Sequence, residues 1–180
     1  LQYIDSLTIS NSESIRRSRA ALGKQEEVAQ PIPFKQLIDD VIQLLGIREL
    51  YKRIDIVVRN KAKKAFYNNI AMVQSIVQNL IQNAVKYGKP NEKNILTITI
   101  KDTSSGVEII VQDTGIGMSK ERVDQLFKQV VDSHANITYS HGFGLYGVAQ
   151  YVEKLGGTIK AESTLHIGST FTVTLPTLNY

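Results

Sequence analysis

Cysteine is absent from the 180 residues, which excludes a disulfide framework and any thiolate metal site. Histidine is scarce, and His134, His141 and His166 lack the spacing of zinc ligands. No apolar run approaches the roughly 20 residues that span a bilayer, and no signal-peptide pattern is visible. A reducing, cytosolic location is the expectation, with membrane anchoring of the full-length protein left open. The chain starts at Leu1 without a methionine and reads as a piece of something longer. Proline is sparse as well, and two of the four stand together at Pro31 and Pro33.

What is there fits one compact domain with a short appendage. An apolar fraction of 42% with 21% charged residues is ordinary for a globular chain and argues against wholesale disorder. The net charge is +4, with basic residues at Arg16, Arg17 and Arg19 and again at Lys61, Lys63 and Lys64. Aromatics are not interleaved with them, so solvated basic faces are the reading and a nucleic-acid partner is not expected.

Residues 1–22 carry Leu1, Ile4, Asn11, Ile15, Ser18 and Leu22 on an imperfect heptad stripe, suited to one arm of a helical pair but too polar to stand alone. The break GKQEEVAQPIP comes next, so a helical segment with its linker is expected over 1–30 and the main domain over 31–180. FKQLIDDVIQLL has a helical stripe of Phe34, Leu37, Ile38, Val41 and Leu45. RIDIVVRN and KKAFYNN read as short strands, and Asn68 or Asn69 as the N-cap of a helix running to Tyr87. The runs ILTITIK and GVEIIVQD, joined through DTSSG, predict an antiparallel hairpin. MSKERVDQLF reads as a helix capped by Ser119, residues 128–141 as a loop, and GLYGVAQYVEKLGG as a helix stopped by two glycines. TIKAES and STFTVTLP close the chain as strands. The predicted fold class is α+β: a mixed sheet of about five strands with helices on one face.

Three stretches carry chemistry. In IVQNLIQNAVKYG, Asn79, Asn83 and Lys86 share a polar stripe beside the core stripe of Val73, Val77, Leu80 and Ala84, with Tyr87 flanking it. A helical amide oxygen can ligate Mg²⁺, a lysine suits phosphate, and a tyrosine face suits a purine or ribose. On this segment alone the alternative stays open: locally bonded asparagines, with Lys86 and Tyr87 snorkelling at a helix end. In VQDTGIGM a strand delivers Asp113 to its end, where a carboxylate can accept a hydrogen bond from an exocyclic amine. Gly115 and Gly117 let the main chain turn tightly and approach a flat ring. In SHGFGLYGV, Gly142 and Gly144 precede and open a helix, whose free N–H groups form a phosphate site.

These pieces, with GSTFTVTLP at the end, stand in an order that resembles the ATP-binding catalytic domain of bacterial sensor histidine kinases, over roughly residues 34–176. That family belongs to the GHKL group and shares the Bergerat α/β sandwich. The resemblance implies ATP and Mg²⁺ as cofactors, with Asn83 ligating the metal, Asn79 beside it and Lys86 meeting phosphate. It implies Tyr87 against the nucleotide and Asp113 on the adenine amine. Gly115, Ile116 and Gly117 would shape one side of the pocket, and His141, Gly142, Phe143, Gly144 and Leu145 the other. Residues 119–141 would form the ATP lid, with Phe127 resembling the phenylalanine of the family's F box. Implied partners are the protein's own dimerisation and phosphoacceptor helices, a response regulator receiver domain, and a second copy in a homodimer.

Hydrolytic GHKL members carry a glutamate one turn before the metal-binding asparagine, and this chain has Asn79 there. That favours transfer of the γ-phosphate to a histidine over hydrolysis. No histidine precedes His134, so the acceptor would lie on a separate helical domain. The lid departs from the family pattern at Val130, Val131 and Asp132, the last an acid where many members have arginine. Either Lys120, Arg122 or Lys128 would substitute, or a partner would, or catalysis would be weak. The rivals are a degenerate transmitter that binds nucleotide without kinase activity, and a GHKL serine kinase of the anti-sigma type.

Overall fold

The structure, a computed structural model, describes residues 29–50, 52–126 and 143–178. The expected helical segment over 1–22, and Phe127, His141 and Gly142, lie outside them.

Period-two alternation builds the centre of the sheet. In β4 (Asn94–Asp102) the side chains of Leu96, Ile98 and Ile100 are buried, and in β5 (Gly106–Asp113) those of Val107, Ile109 and Val111. The two strands pair antiparallel, with Leu96 opposite Asp113 and Asp102 opposite Val107. At the turn, Gly106 N–H donates to Thr103 Oγ1 at 3.0 Å and Thr103 N–H to Gly106 O at 2.9 Å. β7 (Gly168–Pro176) pairs antiparallel with β5, and β6 (Thr158–Thr164) with β7. β2 (Ile54–Asn60) lies parallel to β4, giving the mixed five-stranded order β2-β4-β5-β7-β6. A parallel neighbour needs a crossover. The long helix α3 (Ile70–Lys86) supplies it.

Three helices cover the face on which these apolar residues converge. α1 (Phe34–Leu44) buries Phe34, Leu37, Ile38, Val41 and Ile42. α3 buries Val73, Ile76, Val77, Leu80, Ile81 and Ala84. α5 (Phe143–Lys154) contributes Val148 and Val152, and Leu155 follows it into the core. Together with Phe171, Val173 and Leu175 of β7 they make one continuous core. Each fully buried Ile or Leu there stabilises by about 1.5–3 kcal/mol. The expected stripes of α1 and α3 are therefore the observed ones, and Leu45 packs against the core partly buried.

Side-chain and glycine caps set where α3 begins and where α5 stops. Asn69 is the N-cap of α3, its side chain accepting Met72 N–H at 3.0 Å. Its neighbour Asn68 is fully buried, donating from Nδ2 to Pro176 O at 2.9 Å and accepting Asn69 N–H at 2.8 Å. α5 ends in a Schellman arrangement: Gly157 N–H reaches Val152 O, Gly156 N–H reaches Glu153 O, and Gly156 takes φ +69. The KKAFYNN segment departs from the sequence reading. Its extended part, β3 (Tyr67–Asn68), pairs with β1 (Gln30–Pro31) in a separate two-stranded sheet. Asn68 anchors to β7, the capping Asn69 turns the chain into α3, and no residues remain to extend the strand. Between β1 and β2, α1 is succeeded by one short turn, α2 (Ile47–Leu50), and after β5 the chain forms α4 (Lys120–Leu126), within the stretch expected to be helical.

Candidate nucleotide-binding site

The β5–β7 register carries Asp113 to the end of β5, opposite Ser169. Its Oδ1 accepts Gly115 N–H at 2.8 Å. Burial holds this carboxyl above the usual carboxylate range, while hydrogen bonds from the main chain of Gly115 and Ser169 act against the rise. Part of the acceptor is thus preorganised, and the group is poised to bond a polar hydrogen delivered to it.

The glycine loop beyond Asp113 is pinned on both sides. Ile116 N–H donates to Tyr87 O at 2.9 Å, capping one of the carbonyls that the end of α3 leaves unsatisfied. Gly115 lies so close to Tyr87 O that a Cβ would stand 2.3 Å from it. Gly117 takes φ +64, and a Cβ there would stand 2.0 Å from Thr164 O. Both positions therefore require glycine, for approach in the first case and for approach and conformation in the second. On the outer side, His166 N–H donates to Ile116 O at 2.7 Å, and Met118 N–H to Ser163 Oγ at 2.8 Å. The Ile116 side chain is 41% exposed, so its main chain rather than its side chain ties the loop down.

The amides of α3 face the start of α5. Asn79 Nδ2 donates to Ser75 O at 2.7 Å, which fixes the amide plane. A Cβ built at Gly144 would lie 3.2 Å from Asn79 Oδ1 and 3.8 Å from Asn83 Oδ1. Two amide oxygens thus sit beside the first turn of α5, where the backbone N–H groups of a 12-residue helix begin. Asn83 Nδ2 is buried without a hydrogen-bond partner among the described residues. A buried donor left unbonded costs on the order of 1–3 kcal/mol, and an acceptor such as a phosphate oxygen would relieve it. Among the described residues no cluster of three acidic or histidine side chains is present. An amide oxygen without carboxylates suits Mg²⁺, which keeps waters and phosphate oxygens in its shell.

Lys86 and Tyr87 close this edge. Both are exposed, and Lys86 Nζ lies 5.4 Å from the centre of the Tyr87 ring. The sequence reading put Lys86 within the polar stripe and Tyr87 on its flank, and the structure joins them as a cation–π pair. Leu145 is half-buried against the core. Of the segment His141–Gly144, only the backbone of Phe143 and Gly144 falls within the described residues.

Five residues of the site neighbourhood were not singled out from sequence. Thr114 extends the β4–β5 ladder, donating its N–H to Ile95 O at 3.1 Å and accepting Ile95 N–H on Oγ1 at 2.9 Å. Asn94 is buried and clasps the turn after α3, accepting Lys89 N–H at 2.8 Å and donating to the carbonyls of Lys89 and Glu92. Ser163, Gly168 and Ser169 back the glycine loop. Gly168 alone had a readable signal, a lone glycine ahead of a strand. A cleft of about 450 Å³ lies at the other end of the sheet, lined by Lys64, Phe66, Ser104, Gly106 and Thr177. Its one lining carboxylate, Asp102, already accepts the N–H groups of Lys63 and Lys64.

Comparison with known proteins agrees with this geometry. Residues 68–179 match the family described as histidine kinase-, DNA gyrase B- and HSP90-like ATPases. The sensor protein RprX of Bacteroides fragilis is 39% identical over 59% of this chain and 21% of its own length. The signal transduction histidine-protein kinase BarA of Escherichia coli is 27% identical over 86% of this chain and 18% of its own length. The chain therefore spans about a fifth of these relatives. Among solved structures, the catalytic domain of histidine kinase ThkA superposes with a TM-score of 0.67 at 20% identity, covering 83% of this chain and 95% of that one. With the sheet order, the glycine loop and the paired asparagines in place, the chain belongs to the family of histidine kinase-, DNA gyrase B- and HSP90-like ATPases, and its fold is that of a sensor histidine kinase catalytic domain.

Proposed function

We propose that this chain is the ATP-binding catalytic domain of a two-component sensor histidine kinase, handing the γ-phosphate of ATP to a histidine on a separate helical domain. A response regulator receiver domain would then take the phosphate. The observation that carries the reading is the polar face of α3. Its positions one turn apart are Asn79 and Asn83, and the 17-residue helix contains no Asp or Glu at all. A hydrolase needs a group that takes a proton from water. Asn79 cannot, and its amide is already committed to Ser75 O.

Each residue has a task in this scheme. Asp113 accepts the adenine amine, and the Gly115–Gly117 main chain forms the wall against which the ring lies. Asn83, with Asn79 beside it, would hold Mg²⁺, which when bound neutralises phosphate charge and orients the leaving group. The N-terminal N–H groups of α5 and the Lys86 ammonium face the phosphates. Positioning and electrostatics are then the protein's main contributions.

The test mixes this chain with a helical hairpin carrying the acceptor histidine from the full-length protein, in Mg²⁺ and ATP. Acid-labile, base-stable phosphate on the hairpin is expected. ATP bound with no phosphohistidine formed would turn the reading to a nucleotide-sensing domain without kinase activity. No ATP bound would overturn the nucleotide site itself.

A further inference from the structure

The β6–β7 turn backs the glycine loop with more specificity than a surface turn needs. Ser163, half-buried at the end of β6, has one hydroxyl in contact with three polar groups. It accepts Met118 N–H at 2.8 Å, lies 2.9 Å from Gly168 O and 2.9 Å from Ser169 Oγ. A hydroxyl has one donor and two acceptor sites. All three are used when Ser163 donates to Gly168 O and accepts from both Met118 N–H and Ser169 Oγ–H. One side chain thereby ties the exit of the glycine loop to the first two residues of β7.

Those two residues lie directly against Asp113. Gly168 approaches so closely that a Cβ would stand 2.0 Å from Asp113 O, and it adopts φ +141, a conformation that L side chains rarely take. Ser169 pairs with Asp113 in the ladder, and its main chain supports the carboxylate. On the other branch, Met118 comes directly after Gly117, whose backbone is in contact with Thr164 O. His166 completes the clasp from a left-handed conformation, φ 63, adopted so that its N–H reaches Ile116 O. The placement of the Asp113 carboxylate relative to the Gly115–Met118 main chain, to which it is already joined through Gly115 N–H, is therefore set from behind.

We propose that Ser163 is a positioning residue for nucleotide binding, fixing where the Asp113 carboxylate stands relative to the glycine loop without touching the ligand. The inference rests on the nucleotide reading above. It acts on the base end of the ligand and leaves the phosphate end, held by Asn83 and the start of α5, alone.

Isothermal titration of Ser163→Ala and Ser163→Thr with Mg²⁺-ATP, and with ADP in EDTA, tests it. Removing the hydroxyl should weaken both ligands by a common factor on the order of tenfold. The Mg²⁺-dependent gain for ATP should stay as in wild type. Ser163→Thr, which keeps the hydroxyl on a strand residue, should restore most of the affinity. A general loss of stability would lower the melting temperature while leaving the affinity of the folded fraction unchanged. Wild-type affinity in Ser163→Ala, or a loss confined to Mg²⁺-ATP, would overturn the proposal. Should Ser163→Ala fail to fold, Ser169→Ala takes its place: a smaller common loss is expected, and no loss would overturn the proposal. If the wild-type chain itself bound neither nucleotide, the functional reading would fail rather than the role of Ser163.

Discussion

The Cα of Gly115 sits so close to the carbonyl oxygen of Tyr87 that a side chain's first carbon would lie 2.3 Å from it. The end of α3 and the loop after β5 are thus in main-chain contact, so the halves proposed to face the metal and the base form one unit. Gly115→Ala must push these backbones apart. Its Cβ would also stand 2.8 Å from Asp113 Oδ1. The variant should lose about 2 kcal/mol or more of stability and most of its ATP affinity, by chemical denaturation and calorimetry respectively. Full affinity in a folded Gly115→Ala protein would contradict the contact.

Asp113 gives a pH signature with two opposite slopes. Burial raises its carboxyl above the usual range, so the fold favours the protonated form. Its stabilising contribution is complete below the unfolded value of about 3.9 and is lost as pH rises through the higher folded value. Ligand binding runs the other way, because the ionised carboxylate is the stronger acceptor for the amine. As pH rises through that window, the unliganded protein should lose stability relative to Asp113→Asn while the ATP-induced rise in melting temperature grows. In Asp113→Asn the ATP-induced rise should be largely gone at every pH. An undiminished rise there removes Asp113 from the base site.

Asn83 should separate stability from function. Its Nδ2 is buried and unbonded, so Asn83→Ala relieves an unsatisfied group and places a better helix former in α3. The unliganded variant is expected to gain about 1 kcal/mol in stability. The Mg²⁺-dependent gain in ATP affinity should disappear, while ADP in EDTA binds as before. Retention of the Mg²⁺ gain would take Asn83 out of the metal site.

The N-cap of α3 supplies a control. Asn69→Ala removes the bond to Met72 N–H and should cost about 1 kcal/mol. The cap lies at the far end of the helix from Asn83 and Lys86. Nucleotide affinity of the folded protein should therefore stay within about twofold of wild type.

The parts of the fold legible in sequence were those that local rules decide. The α3 stripe, its Asn69 cap, the β4–β5 hairpin and the double-glycine stop of α5 come from periodicity, capping and turn chemistry. The two-stranded β1–β3 sheet was not legible, because Gln30 and Asn68 are far apart in the chain and pair only through tertiary packing. The same holds within the site. Asp113, Gly115 and Gly117 announce themselves by residue type, since a carboxylate and glycines at a strand end have few other uses. Ser163 and Thr114 do not. A serine in TIKAEST and a threonine after Asp113 look like ordinary strand and turn residues until the register places their hydroxyls against Met118 and Ile95.

The central claim is that the Asp113 loop, the α3 asparagines and the start of α5 receive one molecule of Mg²⁺-ATP. Titration of the isotope-labelled chain with Mg²⁺-AMPPNP, monitored by amide NMR, addresses it directly. Saturable shifts at Gly115, Gly117, Gly144 and the side-chain amide of Asn83 are predicted, with Lys64, Phe66 and Ser104 unmoved. Shifts centred on those last three residues, or none anywhere, would contradict it.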